Sequence, residues 1–266
     1  MHTMTNRLVI TGDIDTPTEI HKGTIASHVD LKTSHEEADI IMIQQLVRSV
    51  EDHQGVAVIS DDTNVFVLLV HYYAALHLSQ MVIMESPVRD RAVINIGQTA
   101  EKHNHFVQDL LAAHALTGCD TVAGYHGIGK TKAVKTLKAG YSLKCLGDDK
   151  ADMQDVVSQS TQHVSVCYGL LSSTDMSTTR RTQWASNVEE TSRTVPPLAS
   201  LPPTTEAFIE NVKRAHFQAS TWKHALDADP PALNPCDYGW HRNDVMKTLL
   251  PVTMPPTVSL APPEVL

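Results

Sequence analysis

Apolar residues recur at helical spacing between Ile40 and Val50, with Ile40, Ile43, Val47 and Val50 on one face. Ahead of them, Ser34 and Glu37 form the Ser-x-x-Glu pattern of a capping box, so the helix is expected to open at Ser34. The run RLVIT (7–11) predicts a short strand, and residues 12–32 read as polar and turn-rich. GVAVIS (55–60), bounded by Gly55 and by Asp61-Asp62, predicts a buried strand. Asn64 to Leu76 is apolar and too long for one central strand, which predicts a helix. Met81–Glu85 and Ala92–Ile96 follow as short strands, then Thr99–Ala115 as a helix with Phe106, Leu110, Leu111 and His114 on one side. Alternation of strands and helices predicts an α/β architecture, a mainly parallel sheet flanked by helices.

After Gly140 the strand pattern fades. Met153–Leu171 predicts one or two helices, and residues 172–203 read as a polar linker. Twelve of the fourteen prolines fall after Val195, and between the pairs 202-203 and 230-231 one helix is expected over 204–227. Beyond Pro230 the chain is expected to hold little structure of its own, with Trp240 packing back on the domain. The expected division is therefore a core over 1–145, a helical extension over 146–230 and a proline-rich tail over 231–266.

The formal charge of −9 argues against a general nucleic-acid coat, but one block opposes the global sign. From Lys130 to Lys144 there are five lysines (130, 132, 135, 138, 144) and no acid. The four cysteines stand far apart with no C-x-x-C pair, so the sequence writes no zinc ribbon. Nothing in the first 30 residues reads as a signal peptide, and no apolar run approaches the roughly 18 residues of a membrane span. The expected setting is a reducing intracellular compartment, nucleus or cytoplasm, without a membrane.

Three acidic clusters lie where a sheet and its helices should converge: Glu36, Glu37 and Asp39, then Asp61 and Asp62, then Asp120. Ligands of open α/β sheets bind beyond the carboxyl ends of the strands, which puts Asp62 at the expected rim. Several carboxylates around hard cations are what two-metal phosphodiester cleavage needs. Behind Asp120 stands GYHGIGK (124–130). In a helix-hairpin-helix over 114–138, Gly127 and Gly129 would clear the way for backbone N–H groups to approach a phosphate. Ile128 would pack inward, and Lys130 and Lys132 would lie near the strand. Such contacts position a nucleic acid without reading its sequence. GYHGIGKT (124–131) also matches the phosphate loop G-x-x-x-x-G-K-[ST] letter for letter, making a nucleoside triphosphatase a remote alternative. That motif needs a strand directly before it, and LAAHALTGCDTVA reads as helix and turn.

HEEAD (35–39), SDDTNV (60–65) and HALTGCDTVAGYHGIGKTKAVK (114–135) resemble the PIN-like core of flap-endonuclease-type nucleases. More closely they resemble a large group of animal proteins often associated with mobile elements. The likeness covers residues 30–140, and LPPT (201–204), KRAHFQASTW (213–222) and Gly239-Trp240 resemble that group's C-terminal portion. The resemblance implies a structure-specific nuclease that hydrolyses DNA phosphodiesters with Mg²⁺ or Mn²⁺ at a two-ion site. Glu37 and Asp39 match the helix acids of such a nuclease, Asp62 the first acid of its D-x-D and Asp120 the acid of its G-x-D. These four are the implied catalytic and metal-holding residues. Asn64 stands at the second acid of D-x-D, where its carbonyl oxygen can meet a metal but brings no charge. Asp61 stands where the group usually has proline, and Asp13 and Asp15 match none of the family's acids. Two readings follow: an endonuclease or 5′-exonuclease with activity weakened or lost at Asn64, or a catalytically inactive nucleic-acid-binding or interaction module. In both, the partner is structured or single-stranded DNA, held by its backbone at Gly127, Ile128, Gly129, Lys130 and Lys132.

Overall fold

The computed structural model describes residues 7–11, 16–32, 37–88, 90–171, 173, 175–191 and 197–254. The chain divides into two compact units, Met1–Val107 with Trp222–Pro231, and Gln108–Thr221 with Ala232–Leu266. The division falls at 107/108 where the sequence suggested 145.

The first unit opens with a small antiparallel sheet, β1 (Leu8–Ile10), β2 (Thr18–His21) and β3 (Thr24–Ser27). Lys22 and Gly23 turn β2 into β3, both at positive φ (48° and 83°), as a two-residue hairpin with the strands' own twist requires. Helix α1 (Ala38–Asp52) buries Ile40, Ile43, Leu46 and Val50. Leu46 takes the place expected of Val47. The helix starts at Ala38, with Glu37 as its N-cap residue and not as the third residue of a box; Ser34 lies outside the described residues.

Strand β4 (Gly55–Ile59) leads into α2 (Thr63–Ala75), and β5 (Met81–Glu85) returns parallel to β4. Helix α2 is apolar on nearly every side and buries Val65, Leu68, Leu69, Val70, His71 and Tyr72, as such helices must. Strand β6 (Ile94–Asn95) pairs antiparallel with β5, and Asn95 caps α3 (Ile96–Lys102) by accepting from the Gln98 N–H at 2.9 Å. The expected mainly parallel sheet is thus corrected: among the described residues β4–β5 is the single parallel pairing. Nor is β4 a buried strand. Val58 is buried, while Gly55, Ala57 and Ile59 on the opposite face are exposed. The segment Trp222–Pro231 is fastened to this unit by polar bonds. The Tyr72 hydroxyl donates to the Trp222 carbonyl at 2.7 Å, and the Gln44 amide donates to the Ala225 carbonyl at 2.7 Å. The Trp222 side chain is fully buried.

The second unit is helical. The single helix expected over 99–115 is two, because the helix of the first unit begins early at its Asn95 cap and stops at Lys102; α4 (Leu110–Leu116) then starts anew. It is followed by α5 (Lys130–Lys138), α6 (Met153–Cys167), α7 (Met176–Thr191) and α8 (Thr205–Lys223), whose last two residues count with the first unit. Helix α8 buries Phe208, Val212, Ala215 and Ala219 at helical spacing, close to the predicted 204–227 helix. Helix α7 occupies the expected polar linker. Asp175 opens it by accepting from the Thr178 N–H at 2.7 Å, and the buried Thr179 hydroxyl bonds the Ser165 hydroxyl of α6 at 2.8 Å. It exposes Trp184. Strands β7 (Trp240–Asn243) and β8 (Thr248–Pro251) form a hairpin where little structure was expected. Trp240 does pack back, under the Arg214 guanidinium at 5.9 Å, and that group donates to the Gly239 carbonyl at 2.9 Å. Residues 255–266 of the expected tail lie outside the described residues. Among the described residues no helix is long and apolar enough to cross a membrane.

His71 sets an acid limit on the first unit. It is 6% exposed, its Nδ1 atom meets no partner among the described residues, and burial pulls its imidazole from 6.5 down to about 4. The unfolded chain takes up this proton near pH 6.5 and the folded chain near 4, so the stability that neutral His71 confers is full above 6.5 and lost as pH falls through 4. Urea denaturation of the wild type should therefore weaken over that window by on the order of a few kcal/mol more than that of His71→Phe.

Candidate functional site

Two places hold the residues singled out by sequence, one in each unit. In the first unit, β4 ends at Ile59 and the chain turns through Ser60, Asp61 and Asp62 into α2. The turn is built by side chains. The Ser60 hydroxyl accepts from the Asp62 N–H at 3.0 Å, and Asp62 Oδ1 accepts from the Asn64 N–H at 2.7 Å. Asp62 is therefore the N-cap of α2, a position where a carboxylate also meets the positive end of the helix dipole. Asn64 is 7% exposed, on the buried side of α2. Asp61 Oδ1 pairs with Arg91 Nη1 at 3.0 Å across a cleft of about 230 Å³ at the carboxyl ends of β4 and β5. Phe66, Met84 and Ile94 supply apolar wall to this cleft.

Helix α1 joins β4 through residues 53–54 alone. Glu37 and Asp39 stand at the start of α1, and Asp61 and Asp62 at the start of α2. Glu37 accepts from the indole N–H of Trp222 at 3.1 Å. Asp39, half-buried, lies in the first turn of α1. Among the described residues no three His, Cys, Asp or Glu side chains gather as a metal site, and Glu36 lies outside the described residues. Three of these acids have protein partners: Glu37 the indole, Asp61 the Arg91 guanidinium, Asp62 the helix it caps.

In the second unit, α4 and α5 are joined by two tight turns. Cys119 and Val122 exchange backbone hydrogen bonds at 3.0 and 3.2 Å, with exposed Asp120 and Thr121 between them. The Ile128 N–H then donates to the Tyr125 carbonyl at 3.1 Å around His126 and Gly127. Gly127 has φ 71°, the left-handed conformation that the third residue of such a turn calls for. Ile128 is buried as expected. Gly129 caps α5 with φ −110°, which any residue adopts, and a Cβ built there would meet nothing within 4 Å. Among the described residues no contact accounts for a glycine at 129.

Lys130 faces inward. Its Nζ donates to the His114 carbonyl at 2.6 Å, to the Gly118 carbonyl and weakly to the Thr117 hydroxyl at 3.4 Å. It thereby supplies donors to carbonyls at the C-terminal end of α4, where the helix dipole favours a cation. Burial lowers its pKa from 10.5 to about 8, and burial followed by the Lys130 charge holds His114 down at about 3. The expected lysine at the phosphate is thus the staple between α4 and α5. Lys132, Lys135 and Lys138 are exposed one turn apart along α5. Sequence reasoning counted Lys135 and Lys138 in the cationic block but left both out of the phosphate-contact set, and it missed Arg91 beside Asp61. The i, i+3 spacing from Lys132 carried the first signal; nothing local carried the second.

The stretch before GYHGIGKT is helix and turns, so the phosphate-loop match lacks its strand, and the lysine it requires is engaged with α4. Comparison of the chain with protein-family models, curated proteins and solved structures returned no match.

Lys130→Met should leave carbonyls at the end of α4 without their donor and cost about 1–3 kcal/mol in chemical denaturation. The pH dependence has a fixed sign. The folded chain releases the Lys130 proton near 8 and the unfolded chain near 10.5, so the wild type should gain stability relative to the variant as pH rises across that window.

Proposed function

We propose that this chain is a nucleic-acid-binding module of nuclease-like ancestry, gripping phosphate backbones at the start and along the lysine face of α5 without cutting them. The observation that carries the proposal is the exposed row Lys132, Lys135 and Lys138, in a stretch from 130 to 144 that contains no acid. A start of α5 left open by Gly127 and Gly129 supports it, because backbone N–H groups and the helix dipole there favour an anion. The reading without cleavage is favoured over the Mg²⁺- or Mn²⁺-dependent nuclease because Glu37, Asp61 and Asp62 each serve a protein partner and Asn64 brings no charge. Contacts of this kind read no base edges, so affinity should depend on salt far more than on sequence.

Fluorescence anisotropy with labelled single-stranded, nicked and flap DNA provides the test. Lys132→Ala with Lys135→Ala should weaken binding to all three and lower the slope of log K against log salt by about 0.7–0.9 for each phosphate no longer neutralised. The same substrates should remain intact with Mg²⁺ or Mn²⁺ present. Cleavage that Asp62→Asn abolishes would replace this proposal with the nuclease, since asparagine preserves the helix cap. Binding unaffected by salt and by the lysine substitutions would remove the nucleic-acid reading altogether.

A further inference from the structure

The sheet β4–β5–β6 ends at β4, and that edge carries an unused hydrogen-bonding ladder. The Met81 N–H donates to the Gln54 carbonyl and the Ser60 N–H to the Glu85 carbonyl. In a parallel ladder these bonds fix the alternation: residues 54, 56, 58 and 60 direct their backbone groups at β5. Gly55, Ala57 and Ile59 therefore direct theirs at the open edge, and no strand pairs with that edge among the described residues. The same three residues occupy the bare face of the strand. Ile59 is 64% exposed, Met81, beside Gly55 at the other end of the β4–β5 pair, is 61% exposed, and Ala57 is exposed midway along β4.

Edges of this kind are normally blunted by lysine, proline, a bulge or extreme shortness. Gly55–Ile59 reads GVAVI, without charge or proline, and its register with β5 is unbroken. A parallel pair with one uncovered apolar face is also unusual, since such sheets are ordinarily covered on both sides.

We propose that two copies of this chain pair β4 against β4, antiparallel about a two-fold axis through Ala57. The parity of the ladder fits this arrangement. With Ala57 opposite Ala57 of the second copy, Gly55 faces Ile59 of the second copy and Ile59 faces its Gly55. All three are residues whose N–H and carbonyl groups point at the edge, so each facing pair exchanges two hydrogen bonds. The ends agree as well. Beyond the strand, Gln54 comes abreast of Ser60, and His53 abreast of the Asp61 carboxylate, an imidazole against an acid at both ends. Asp52 belongs to α1 and Asp62 to the cap of α2, so both have left the strand direction before they would oppose each other. The sheet becomes continuous across six strands, within the usual width of about 4–6, and its exposed Ile59 and Met81 form one apolar band. A two-fold interface needs this self-complementarity, and an uncharged strand lies on its own copy without repulsion.

Ala57 is the one residue that meets itself, and the test exploits this. Sedimentation equilibrium of the full chain should show a monomer–dimer equilibrium. Ala57→Lys and Ala57→Glu should each weaken the dimer by about tenfold or more, because like charges then face each other across the axis. An equimolar mixture of the two variants should restore it. Since Ala57 is exposed, both should keep the wild-type circular dichroism. As a second measure that leaves the strand uncharged, Ala57→Cys should form an intermolecular disulfide under oxidised glutathione, its Cα atoms being about 5.5 Å apart. Gly55→Cys alone should not exceed the background set by the native cysteines. A wild type that stays monomeric at every concentration overturns the proposal and leaves the edge to a strand of another protein. A dimer insensitive to charge at 57, a mixture that fails to restore it, or equal cross-linking at 55 and 57 overturns it too.

Discussion

Every helix begins with N–H groups and ends with carbonyls that its own ladder leaves unmet, and this chain spends its most conspicuous polar residues on those ends. Asp62 meets the start of α2, Asn95 that of α3, Asp152 that of α6 and Asp175 that of α7. Lys130 meets the other end of α4. The helices carry the core of both units, so the fold rests on these terminal contacts being made. The same requirement binds residues that chemistry would otherwise claim. A carboxylate that caps a helix keeps one oxygen toward the backbone, and an ammonium among carbonyls is turned away from any phosphate outside.

Much of the fold was legible in the chain. In α1 burial follows a single period, and the pattern located the helix and most of its inward side; α2 showed as an apolar run too long for a strand, and α8 as the stretch bracketed by two proline pairs. The failures have separate physical causes. Helix α7 is held by a polar seam, Thr179 to Ser165, together with a bond from Arg180 to the Pro202 carbonyl, and hydrophobic periodicity is blind to such contacts. The β2–β3 hairpin turns on Lys22-Gly23, a weaker signal than Asn-Gly, with threonine-rich strands that read as loop. The β7–β8 hairpin lies among prolines that masked it, and Arg214 on the distant helix α8 supplies the contact that secures it.

The candidate site was legible in its parts more than in its assembly. Turn chemistry around Gly127 and the inward packing of Ile128 followed from residue types alone. The role of Lys130 did not, because the carbonyls it meets lie 12 to 16 residues earlier and only the folded turn brings them near. Glu37 is a similar case: its indole partner stands 185 residues away along the chain. A residue's type proposes its chemistry, but a neighbour remote in sequence decides whether that chemistry is free to act.

The three tryptophans are distributed in a way that gives the molecule its own optical label. Trp222 is wholly enclosed in the first unit, while Trp184 and Trp240, exposed and half-exposed, belong to the second. Short-wavelength indole emission therefore originates chiefly from residue 222, and quenchers dissolved in the buffer reach residue 184 first. Loss of order in one unit changes the colour of the emitted light, whereas exposure of the other changes its accessibility, so the two events carry different spectroscopic signatures within an unlabelled chain.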